Sequence, residues 1–308
     1  MFELIIFSLL RASQLVVLGL GISLVFGILG FANFAHLTFG LLGAYLVYLL
    51  HVTLHVNLFL SIIACAALIG LFSIQIDHIV FRKLRNASSI ALMITSLGVM
   101  LFLRNVVRAI WGTGDLTFGL PMFSPFKIFG ASITPIQIGV ILTAVLIMAG
   151  LHVLLRGTNL GIAMRATADN RSLADACGIP TEKVTAWTWF ISTSCCVIGM
   201  VLVAVDTSLE PYLGWNLLLP TFCAVILGGI GNPYGTMLGA LVLGLAENFG
   251  ISLNFAPILN AGGIFHFGEL LRLDPRYKLA ISFALLIAVL FIRPSGTVSY
   301  THLRAHET

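Results

Sequence analysis

Residues 211–246 form a run of 36 amino acids without one charged side chain. A helix crosses a bilayer core with ~20 apolar residues, so this run alone is long enough for two crossings. At 228–235 it contains GGIGNPYG, a Gly/Pro/Asn cluster that breaks helices, and a helical hairpin is expected there. Further uncharged runs of spanning length lie at 12–31, 56–76, 86–103, 131–151 and 184–205. Two shorter ones follow the same logic: 37–50 between His36 and His51, and 279–292 between Lys278 and Arg293. Only 9% of the 308 residues are charged, where soluble domains carry roughly 25%. That shortage excludes an ordinary soluble enzyme, a disordered chain and a nucleic-acid binder. The expected fold is an all-α polytopic integral membrane protein with nine transmembrane helices, or eight if 37–50 is re-entrant.

Positive charge orients the set. Arg82, Lys83 and Arg85 follow the third run; Arg156, Arg165, Arg171 and Lys183 lie between the fifth and sixth; Arg293 follows the last. Even numbers of crossings separate these segments, so all can share the cytoplasmic face. Arg272, Arg276 and Lys278 fall on the opposite side, a departure from the rule. The net charge of +4 is mostly this topology signal. The first run is expected to stay in the mature protein, since no basic segment precedes it and no A-x-A site closes it.

The chain holds no GxxxxGK[ST] sequence, so it is not expected to bind ATP in the P-loop manner. GGIGNPYG has the wrong spacing for a dinucleotide loop. His51 and His55 stand four apart without the Glu of a zinc-protease helix. The five Cys form no CxxC pair, which argues against a zinc site or a disulfide framework. No cofactor and no metal is expected.

Gly clusters in two places, 19–43 and 228–250. Small residues let membrane helices approach closely, and Gly-interrupted helices at corresponding positions mark substrate routes. At an offset of 199 residues, Gly30, Asn33 and Gly40 align with Gly229, Asn232 and Gly239, a short internal repeat. The segment 156–183 is long for a bundle connector. It is expected to carry one helix over 163–177, with Asn159 as N-cap and Gly178 and Pro180 as its stop. Its small residues and mixed charges suit docking into a groove on another protein better than lying on a membrane.

LVFGILGFANFAHLTFGLLGAY (24–45), LGIAMRATADNRSLADACGIPTEKV (160–184), VILGGIGNPYGTMLGALVLGLAE (225–247) and FIRPSG (291–296) resemble, in order, the permease subunits of bacterial ATP-binding cassette importers for branched-chain amino acids. NFAH at 33–36 is similar to the high-affinity permease of the pair, although Leu37 stands where that family has Gly. The resemblance implies a multi-pass protein of the inner membrane, a partner permease, two ATPase subunits that hydrolyse the ATP, and a periplasmic substrate-binding protein. It also implies that RATADNRSLADACGI is the cytoplasmic coupling loop, with Ala174 and Gly178 as its Ala and Gly; Arg165, Ala166, Asp169, Ala174 and Gly178 are the candidates for coupling to the ATPase. Residues 1–298 are then one permease domain. The polar tail 299–308 is expected to be a scar foreign to it.

Four polar residues are candidates for the substrate route: Asn33 and His36 at the first Gly-rich hairpin, Asn232 and Glu247 at the second. Intramembrane ionisable groups are functional candidates by default, though Asn33 and His36 could equally cap a helix end and Glu247 could be a structural partner. Arg104 and Arg108 are expected to emerge at the outer interface. The alternatives to an amino-acid permease are a urea or short-amide permease and a self-sufficient secondary transporter or channel. A membrane-embedded enzyme is the most distant.

Overall fold

The computed structural model describes residues 2–253, apart from 86, 122–123 and 129–130, together with 274 and 277–292. The tail 299–308, Arg272, Arg276 and Arg293 lie outside these residues. Among the described residues, seven helices are long and apolar enough to cross a membrane. They are α1 (Phe2–Leu29), α2 (His36–Tyr48, continued by a π-helical turn to Thr53), α3 (Leu58–Ile76, continued to Leu84), α4 (Ser89–Trp111), α5 (Pro135–Gly157), α8 (Thr181–Asp206) and α10 (Pro233–Ser252). Two shorter apolar helices are α9 (Leu213–Gly228) and α11 (Lys278–Ile292). The expected break at 228–235 is therefore real: α9 ends at Gly228 and α10 starts at Pro233.

Three boundaries differ from the sequence reading. The first helix begins at Phe2, not at residue 12, and carries Arg11 within it. The fifth begins at Pro135, not at 131. A two-stranded hairpin, β1 (Phe126–Ile128) and β2 (Ala131–Ile133), fills the space before it, and Thr134 with Gln137 forms a capping box that fixes the start. The connector 156–183 holds two helices rather than one, α6 (Asn159–Asp169) and α7 (Arg171–Ala176). Thr158 rather than Asn159 caps α6. Asn170 is extended (ψ 103°) and caps α7 by accepting from the Leu173 amide, so its own side chain supplies the break.

Burial sorts the helices into centre and rim. Of the most apolar window of each, 78% is buried in α1 and 67% in α8, against 28% in α4 and 22% in α5. The rim helices turn Phe59, Ile63, Phe102 and Leu146 outward, each at least two-thirds exposed. A water-soluble fold could not tolerate such a surface; lipid requires it. Around the central pair lie two apolar clusters, one of α2, α3 and α4 against α8, the other of α5, α9 and α10 against α1.

Candidate functional site

The two Gly-rich hairpins meet. A Cβ on Gly27 of α1 would stand 3.2 Å from the Gly231 carbonyl oxygen in the α9–α10 turn, so two backbones touch with no side chain between them. The 199-residue repeat has a geometric counterpart. Gly30 and Gly229 both have positive φ, 72° and 97°, a conformation Gly adopts without penalty. Three residues later, Asn33 Oδ1 accepts from the Ala35 amide and Asn232 Oδ1 from the Tyr234 amide, each at 3.1 Å. A positive-φ Gly and an Asn that accepts from the amide two residues on thus recur in the same order; Asn232 is the N-cap of α10, whereas α2 begins only at His36, after Ala35.

The candidate route residues do not form one cluster. Asn33 and Asn232 are buried at the two corresponding turns, while His36 is wholly buried and sits on Gly21, whose missing side chain leaves room for the imidazole. The Ser192 backbone carbonyl lies beside the imidazole at Gly21. The irregular backbone between α1 and α2 is buried at Phe31, Asn33 and Ala35, the condition under which a membrane tolerates it. Glu247 lies elsewhere. It is wholly buried, with Oε2 2.8 Å from Arg11 Nε and Oε1 accepting from Ser282 Oγ at 2.6 Å. Arg11 and Gly21 are ten residues apart on α1, about 15 Å along the axis. The Glu247 pair borders a cavity of about 240 Å³ that Lys278, Asn216 and Pro220 also line. Arg11 is not legible as part of a site in the sequence, because it precedes the uncharged run 12–31. A lone Arg in one spanning helix and a lone Glu in another were the signal that could have paired them.

At the opposite end, the two basic segments converge on one acid. Glu182, at the start of α8, takes hydrogen bonds from Arg85 and from Arg171 of α7, the latter at 2.7 Å, and lies 3.4 Å from Arg82. Arg85 also binds Asp77 at 2.6 Å. The coupling candidates divide by exposure. Arg165, Asp169 and Gly178 are exposed, and Gly178 ends the unit at φ 84°. Ala166 is half-buried. Ala174 is buried in its own chain at 4% exposure. Arg165 donates to the Leu155 carbonyl at the end of α5, where a cation meets the helix dipole. Leu173 and Ile162, more than half exposed, give this end its apolar contact surface. At the other end, Arg104 and Arg108 lie over the Tyr212 ring. Among the described residues, no group of three or more His, Cys, Asp or Glu could hold a metal.

The sequence profile described as "Branched-chain amino acid transport system / permease component" matches residues 4–290. The high-affinity branched-chain amino acid transport system permease protein LivH of Salmonella typhimurium is 30% identical over 298 residues, 92% of this chain and 91% of that protein. The corresponding permease protein BraD of Pseudomonas aeruginosa is 28% identical over the same share of each. Among solved structures, PsaBC from Streptococcus pneumoniae in complex with Fab aligns over 94% of this chain and 91% of that one, at 13% identity and a TM-score of 0.47.

Proposed function

The chain belongs to the branched-chain amino acid transport system permease family, and from that premise we propose that it carries branched-chain amino acids inward across the bacterial inner membrane. It is a multi-pass transport subunit and not an enzyme. As a component of an ATP-binding cassette system it works with partner subunits, which hydrolyse the ATP. The finer assembly we propose is one further permease, two ATPase subunits and a periplasmic binding protein, with residues 1–298 acting as one domain.

One observation supports the division of labour: α6 and α7 project from the basic end of the bundle yet are tied by Arg171 and Glu182 to the end of α3. A partner that moves α7 therefore moves the bundle. Arg165, Ala166, Asp169 and Gly178 belong to the surface that meets the ATPase, and Ala174 supports it from within. The seam of Gly27 and Gly231, with Asn33, His36 and Asn232 around it, flanks the route, and Glu247 with Arg11 controls its far half. The basic end faces the cytoplasm, in keeping with the Lys/Arg bias.

The test is uptake of labelled leucine into proteoliposomes holding the complete assembly. Accumulation should require ATP on the α6–α7 side and the binding protein on the other. Accumulation driven by an ion gradient without ATP would overturn the assignment in favour of a secondary transporter.

A further inference from the structure

A cavity of about 400 Å³ opens between the ends of α1, α3 and α4 and the α7–α8 turn. That volume lies in the ~300–1,000 Å³ range of small-molecule clefts. Its walls are of two kinds. Leu29, Phe31, Phe81 and Leu92 form an apolar side; Asp77, Arg82, Arg85, Arg171 and Glu182 form a charged one. Three guanidinium groups face two carboxylates, so one positive charge has no counter-charge within the cluster. Asp77 is only 6% exposed. Its carboxylate is held by Arg85 at 2.6 Å and by the Trp189 indole N–H. An ionised carboxylate offers about four acceptor positions, so it can take a further donor from the cavity it lines.

We propose that this cavity is a second amino-acid site, on the α6–α7 side of the membrane, for a free zwitterion with a branched apolar side chain. It rests on the substrate class proposed above. The ligand's carboxylate supplies the missing negative charge among Arg82, Arg85 and Arg171. Its ammonium donates to Asp77, and its side chain packs on Leu29, Phe31 and Leu92. Occupation ties α7 to the ends of α1 and α3, so amino acid accumulating on the delivery side slows its own import.

The experiment is equilibrium binding of labelled leucine to the purified permease–ATPase assembly without the binding protein. Binding should saturate. Leucinamide, which lacks the carboxylate, and 4-methylpentanoate, which lacks the ammonium, should each displace leucine at least about tenfold less well than leucine itself, the loss expected for one charged hydrogen bond. Leu29→Trp, which fills the cavity without touching a charge, and Asp77→Asn should each weaken binding about tenfold or more. If either variant fails to melt cooperatively, the analogue series on the unaltered chain and the milder Ile28→Phe, at another residue of the apolar wall, decide. Leucine loaded into the lumen of proteoliposomes, on the α6–α7 side, should slow uptake from the other side. No saturable binding, undiminished binding in Leu29→Trp, or equal displacement by 4-methylpentanoate would each overturn the proposal. ATP-driven leucine uptake in the absence of such binding would sink this site alone, whereas absence of uptake would sink the transport reading.

Discussion

Replacing Glu247 with Gln would leave the Arg11 guanidinium without a counter-charge in a nearly dry setting. Breaking a buried pair costs about 3–5 kcal/mol, and the 20% exposure of the Arg11 side chain lowers the expectation to about 1–3 kcal/mol. The melting temperature in detergent should therefore fall. The double variant Arg11→Met, Glu247→Leu should recover most of it, because an apolar replacement of a buried pair is close to neutral. Uptake should stay low in the double variant; recovery of uptake as well would make the pair structural only. The sequence disclosed Glu247, since a carboxylate deep in an apolar run is conspicuous. It does not disclose the partner, because Arg11 precedes the uncharged run 12–31, whereas the helix starts at Phe2. His36 shows a different limit. Its burial on Gly21 comes from the return of α2 against α1 and α8, a contact to which no local pattern points.

Helices α6 and α7 present Leu173 and Ile162 outward while Ala174 points in. A charged side chain at Leu173 should disturb docking without disturbing the fold. Leu173→Arg is expected to insert and melt like the unaltered chain while co-purifying poorly with the ATPase subunits; normal co-purification and uptake would remove α7 from the interface. Ala174→Leu should instead lower stability by about 1–3 kcal/mol, the usual cost of overpacking. Cys177 offers a check on orientation without new cysteines, since it is exposed and the other four are buried. An impermeant maleimide should modify it only after the membrane is opened, and labelling in intact cells would invert the topology. The existence and the end of this segment were legible from Gly178 and Pro180. The division at Asn170 was not, because an Ala-rich run has no obvious breaker and an Asn cap is recognisable only once its side chain is seen to turn back on the chain.

For the molecule as a whole, the number of apolar helices and the Gly-rich hairpins could be read from the sequence, while centre and rim could not. All the spanning helices are apolar, so the pattern alone does not tell a lipid-facing Leu from a packed one. Packing around α1 and α8 decides it, and the backbone contact at Gly27 and Gly231 is one of its close approaches. Gly27→Leu should force the seam apart and reduce the yield of folded protein. Gly27→Ala, which needs the neighbouring carbonyl to shift by only a few tenths of an ångström, should be tolerated. Equal behaviour of the two would mean that the seam is loose.

The burial of α2 also sets a schedule for synthesis. The His36 carbonyl accepts from Cys196 Sγ, 160 residues further along the chain. At ~5–20 residues per second, the ribosome makes α8 on the order of ten to thirty seconds after α2. During that interval the face of α2 that carries Gly40 and Gly43, which packs on Cys196 and Val197, has no permanent neighbour. The nascent hairpin must wait beside the insertion machinery, or borrow a chaperone's surface, until its own eighth helix arrives.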